Sequence, residues 1–144
     1  HNRNKLSSDL ELGATYHKDA KSLFAESEFL SINCPATAET TNLLNEETIK
    51  FLPDKAVVAN AARGDIIDDK AMIQAMKSGK IFALGLDVYN GEPKINEGYL
   101  KLDNLFLLPH LGSVTKRTRI DMSDRAIDNL EVLLSGKKPK DQVN

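Results

Sequence analysis

Three side chains carry the chemistry that this sequence offers. Arg63 lies in Asn60-Ala61-Ala62-Arg63-Gly64-Asp65, Glu92 in Asp87-Val88-Tyr89-Asn90-Gly91-Glu92-Pro93, and His110 in Pro109-His110-Leu111-Gly112-Ser113. A guanidinium presents a planar fork of donors that suits a carboxylate. An imidazole beside a carboxylate can move a proton near neutral pH. Together with Asp87 they are the parts of an acid–base site with an anion clamp. Taken singly, each has a plainer reading. Arg63 before a glycine reads as a solvated charge, Glu92 as a turn residue, His110 as a helix-start residue and Asp87 as a cap on local amides. Their common position favours chemistry, because each follows a short apolar run.

Those runs are Phe29–Cys34, Ala56–Asn60, Ile81–Leu86 and Leu105–Leu108. Three are nearly continuous in apolar residues, the pattern of strands covered on both faces. Helical segments alternate with them. Asp19 caps a helix running to about Glu28. Asn45 precedes Glu46 and Glu47 in a short helix that Pro53 ends. Asp68 precedes Ala71, Met72, Ala75 and Met76, closed by Gly79, and the two methionines read as core. Ser113 is the expected cap of a long final helix with the apolar stripe Ile120, Ile127, Leu130, Leu134. This alternation predicts a parallel sheet with helices on both sides, so Arg63, Glu92 and His110 fall at one end of the sheet. Cys34 reads as a small buried strand-end residue rather than a nucleophile. The tail Lys137-Lys138-Pro139-Lys140 reads as a frayed, solvated end.

Composition sets outer limits. The chain has 144 residues, 41% hydrophobic and 28% charged, enough for one domain with a real core. Nineteen basic against 21 acidic side chains give a net charge of −2, which argues against a nucleic-acid partner. No apolar run reaches the ~18 residues of a membrane helix, and the opening His1-Asn2-Arg3-Asn4-Lys5 is not a secretory signal. The single cysteine excludes an intrachain disulfide and a zinc site built on several thiolates, so no metal is expected and a cytoplasmic setting is the default. No two glycines are spaced G-x-G, so a dinucleotide fingerprint is absent.

Ala61-Ala62-Arg63-Gly64-Asp65-Ile66-Ile67-Asp68, Gly85-Leu86-Asp87-Val88 with Glu92-Pro93, and Leu108-Pro109-His110-Leu111-Gly112-Ser113 resemble, in order, three signatures of the D-isomer-specific 2-hydroxyacid dehydrogenases. Cys34-Pro35 with Glu39-Thr40-Thr41-Asn42 resembles the segment that precedes them. The resemblance implies an α/β, Rossmann-like doubly wound parallel sheet and hydride transfer between a nicotinamide cofactor and a small 2-keto acid, with glyoxylate or hydroxypyruvate favoured. It implies that Arg63 holds the substrate carboxylate, that His110 gives the proton, and that Glu92 orients His110. Asp87 would meet the carboxamide end of the cofactor. Cys34, Pro35, Thr40, Ala61, Ala62, Gly112 and Ser113 would line its path, with Arg63 and His110 beside it.

Members preferring NAD place an Asp at the end of the second strand of the cofactor domain, where this chain reads His1-Asn2-Arg3-Asn4-Lys5. Arg3 and Lys5 suit a 2′-phosphate, so NADP is expected, with NAD as the alternative. The resemblance leads to residues 1–113 as most of the cofactor domain and 114–144 as a helix returning toward the substrate domain. It also implies a homodimer, and a chain lacking the first β-α unit and most of the substrate domain, hence weak or inactive alone. D-lactate or 3-phosphoglycerate dehydrogenase, and a non-catalytic cofactor-sensing co-repressor of the same fold, remain the alternatives.

Overall fold

Side-chain caps set the helix starts. In the computed structural model, which describes residues 1–143, the Asp19 carboxylate accepts from the Ser22 amide at 2.8 Å and opens α2 (Ala20–Glu26), after a single turn α1 (Ser8–Glu11). Asn45 opens α3 (Glu46–Ile49) with a reciprocal cap: its side chain accepts from the Glu47 and Thr48 amides, and its own amide donates to Thr48 Oγ1. Asp68 caps α4 (Asp69–Lys77), and Gly79 follows at φ +78°, a backbone region that favours glycine. α5 spans Lys116–Leu134.

Four strands, β1 (Phe29–Ile32), β2 (Ala56–Asn60), β3 (Ile81–Leu86) and β4 (Leu105–Leu107), form one wholly parallel sheet in sequence order. Ile32 pairs with Asn60, Asn60 with Leu86, and Leu86 with Leu107, so the four carboxyl ends lie in one row. α3 and α4 occupy the first two crossings. The third carries only a single 3-10 turn at Tyr99–Lys101.

The chain forms two compact units, one over His1–His110 and the other from Leu111 onward. The core of the first gathers Phe24 of α2, Ile49 of α3, and Met72, Ile73 and Met76 of α4 over Leu30, Ile32, Val58, Leu84 and Leu86 of the sheet. Burying each such side chain contributes about 1.5–3 kcal/mol. The strands do not follow the expectation of two covered faces. Burial alternates along β1 and β2, and the opposite face leaves Phe29 78% and Phe106 66% exposed. All three packed helices of this unit contribute to one cluster on one sheet face, which accounts for the alternation.

In the second unit, Thr115 rather than Ser113 caps α5, its hydroxyl accepting from the Thr118 amide at 3.2 Å. Two hydroxyl residues stand close together here, and the one next to the first helical residue takes the role. The tail is anchored rather than frayed. Asp141 receives Arg125 Nη2 at 2.8 Å and Asn129 Nδ2 at 2.7 Å, and these bonds hold its carboxyl down to about 2. No helix among the described residues is long and apolar enough to cross a membrane.

Candidate active site

The segment after β2 is shaped by a buried amide. Asn60 is 1% exposed; its Nδ2 donates to the Arg63 carbonyl at 2.8 Å and its Oδ1 accepts from the Ala62 amide at 3.0 Å. Those two bonds turn the chain sharply after the strand and set Arg63 at the surface. The Arg63 guanidinium has no ion-pair partner among the described residues; Nη1 donates to the neighbouring Ala62 carbonyl. It remains available to an anion.

The segments after β3 and β4 are joined to this one and to each other. The Asp87 amide donates to the Asn60 carbonyl at 3.0 Å, and the His110 amide donates to the Asp87 carbonyl at 2.9 Å. Gly64 packs against the backbone of Tyr89 and Asn90 so closely that an added Cβ would sit 2.0 Å from the Tyr89 carbonyl carbon. Glycine is required there for space.

Glu92 and His110 meet directly. His110 Nδ1 lies 2.8 Å from Glu92 Oε2, while Glu92 Oε1 accepts from the Tyr89 amide at 2.9 Å. The imidazole hydrogen bond, with the Tyr89 amide second, holds the Glu92 carboxyl below the usual carboxylate range. An ionised carboxylate only accepts, so His110 Nδ1 carries the hydrogen. That leaves Nε2 as the position for exchange with a substrate. His110 itself sits at φ +56°, sparsely populated for a residue with a Cβ, and is about half exposed on its side chain. The arrangement can deliver a proton beside a bound anion.

The remaining sequence candidates lie as follows. Cys34 is half-buried just after β1, and Pro35 is exposed, its carbonyl receiving Thr40 Oγ1 at 2.7 Å. Ala61 is exposed, Ala62 half-buried and Asp87 buried at the end of β3. Asn2 and Arg3 are exposed; the Asn2 carbonyl accepts from the Tyr16 hydroxyl at 3.0 Å, so this segment is tied to the one before α2. Gly112 and Ser113 belong to the second unit, exposed and half-buried respectively. No group of three or more metal-ligating side chains occurs among the described residues. A concavity of about 980 Å³ between α3 and α4, bordered by Lys50, Lys70 and Lys77, contains none of these candidates.

Asn60, Gly64 and Tyr89 were not singled out from the sequence as site residues. Asn60 and Gly64 flank Arg63, and an Asn at a strand end followed by Arg-Gly was the available signal.

The sequence profile described as "D-isomer specific 2-hydroxyacid dehydrogenase, NAD binding domain" matches residues 1–112. The chain belongs to this family. Among its relatives within the 2-hydroxyacid dehydrogenases is a glycerate dehydrogenase from Hyphomicrobium methylovorum, 42% identical over 134 residues, covering 93% of this chain and 42% of that protein. A solved glyoxylate reductase from Paecilomyes thermophila is 38% identical with a TM-score of 0.90, covering 99% of this chain and 43% of that one. An NADPH-dependent glyoxylate/hydroxypyruvate reductase from Sinorhizobium meliloti, solved with NADP and malonate, is 35% identical with a TM-score of 0.87, covering 94% and 41%. The chain thus spans about four tenths of the length of these dehydrogenases and reductases. The Rossmann-like parallel fold of the NAD-binding domain agrees with the expectation from the sequence.

Proposed function

We propose that the protein carrying this chain reduces a small 2-keto acid, glyoxylate or hydroxypyruvate, to the 2-hydroxy acid. The observation that carries the reading is the 2.8 Å Glu92–His110 contact at the same sheet end as the Arg63 guanidinium, which has no ion-pair partner among the described residues. Relatives named glyoxylate reductase and glycerate dehydrogenase support it, since glycerate is the reduced partner of hydroxypyruvate.

Arg63 binds the substrate carboxylate and orients the keto group. His110 donates a proton from Nε2 to the carbonyl oxygen, and Glu92 holds the ring in place. The residues at the strand ends fit a nicotinamide dinucleotide: Cys34, Ala61 and Ala62 have short side chains, and Asp87 offers a carboxylate to a carboxamide N–H. When bound, that cofactor supplies the hydride for the carbonyl carbon. Pro35 and Thr40 belong to the same proposed path, and Arg3 with Asn2 would meet a 2′-phosphate, making NADP the preferred form. A homodimer is part of the same proposal.

The test is oxidation of NADPH and NADH by the full-length protein with glyoxylate, hydroxypyruvate, pyruvate and 3-phosphohydroxypyruvate. Faster turnover of the first two, with tighter binding of NADPH, is expected. Preference for pyruvate or the phosphorylated acid favours the lactate or phosphoglycerate enzymes, and equal dissociation constants for NADP and NAD remove Arg3 from the site.

A further inference from the structure

Tyr89, in the segment after β3, touches the segments after β2 and β4. Its amide donates to Glu92 Oε1 at 2.9 Å, and its hydroxyl donates to the carbonyl of Leu108, two residues before His110. Its own carbonyl group is the backbone against which Gly64, next to Arg63, packs. We propose that Tyr89 is the positioning residue of the site, its side chain and its two flanking peptide units holding Glu92 to His110 and both to the Arg63 segment. The inference goes beyond the reductase reading in naming what aligns the proton donor, and its kinetic arm rests on that reading.

The chemistry of the contact supports a clamp. A carbonyl only accepts, so the tyrosine must keep its proton, and burial, then the charges of Asp87 and Glu92, push its hydroxyl pKa up. The clamp also reaches a strained place. His110 sits at φ +56°, a conformation that persists only where neighbouring contacts impose it. Among the contacts that hold its segment are the Leu108 amide to the Leu86 carbonyl, the His110 amide to the Asp87 carbonyl, and the Tyr89 hydroxyl to the Leu108 carbonyl. The ionisable groups facing Glu92 are His110, from beyond β4, and Asp87, from the end of β3; they act in opposite directions on its carboxyl.

The experiment is Tyr89→Phe in the full-length protein, which keeps the ring and the amide and removes the hydroxyl. The Glu92 carboxyl, followed by carbon-13 NMR, is expected to titrate closer to the ordinary carboxylate range than in the wild type. kcat with the keto acid is expected to fall about fivefold to tenfold, the loss of one hydrogen bond's worth of alignment, with the cofactor dissociation constant unchanged. A packing role alone leaves the Glu92 titration where it was, and that result overturns the proposal. A wild-type protein that turns over no keto acid, with the titration still moving in the variant, removes the reductase reading and leaves Tyr89 in its role. A second measurement needs no substitution: the Tyr89 hydroxyl proton should be protected from exchange with water, and free exchange overturns the proposal.

Discussion

Gly64→Ala puts the geometry of the site to a quantitative test. Its new Cβ would lie 2.0 Å from the Tyr89 carbonyl carbon, 2.1 Å from its oxygen and 2.3 Å from the Asn90 nitrogen, where ordinary contact begins at 3.4 Å. All three atoms are backbone, so no rotamer relieves the overlap. Either the Arg63 segment or the Tyr89–Glu92 segment must retreat by about 1.4 Å, the difference between 3.4 and 2.0 Å. Overpacking of this kind costs about 1–3 kcal/mol of stability. Displacement of a reacting group by about 1 Å costs on the order of 100-fold in rate. We therefore expect kcat/KM for the keto acid to fall about 100-fold, with a lowered melting temperature. Gly85→Ala is the control, because a Cβ at Gly85 in β3 meets nothing within 4 Å. Steady-state kinetics and thermal melts of both full-length variants provide the assay. Gly64→Ala kinetics within twofold of the wild type would refute the close approach of the two segments.

Further outcomes follow from the same geometry. Arg63→Ala should raise the keto-acid KM and lower kcat, while cofactor binding measured by fluorescence titration changes little. Asn60→Leu removes the side-chain partners of the Arg63 carbonyl and the Ala62 amide, leaving the carbonyl the longer bond from the Ile66 amide at 3.4 Å; it should cost about 1–3 kcal/mol in unfolding free energy and raise the keto-acid KM as Arg63 drifts. His110→Ala removes the chief cause of the depressed Glu92 carboxyl. Its titration, read by carbon-13 NMR, should rise toward the ordinary range. A depressed carboxyl adds stability above its unfolded pKa and loses it as pH falls through the folded value. The wild-type contribution should therefore persist to lower pH than that of the variant.

The sequence carried the strand ends well. Runs such as Ala56–Asn60 and Ile81–Leu86 are bounded by polar turn residues, and their observed spans match the apolar stretches. Parallel pairing then brings the following segments to one edge, which is why Arg63, Glu92 and His110 could be grouped before any coordinates. The close approach of Gly64 to Tyr89 was not legible, because it depends on how two distant segments pack rather than on either alone. Tyr89 sits in a polar loop sequence, and its hydroxyl has meaning only once Leu108 is beside it. The open sheet face was hidden for a related reason. Phe29 and Phe106 look like core residues in a linear pattern, and their exposure depends on which face the helices take. The anchoring of Asp141 by Arg125 is likewise a tertiary contact without a local signal.

A double-mutant cycle on Glu92 and His110 shows whether the carboxylate and the imidazole act as one proton-delivering unit. kcat for the keto acid would be measured in the full-length wild type, Glu92→Gln, His110→Ala and the double variant. His110→Ala should lower kcat by about 100-fold or more, and adding Glu92→Gln to it should change almost nothing. Independent effects that multiply in the double variant, or a His110→Ala protein with wild-type kcat, would contradict that coupling.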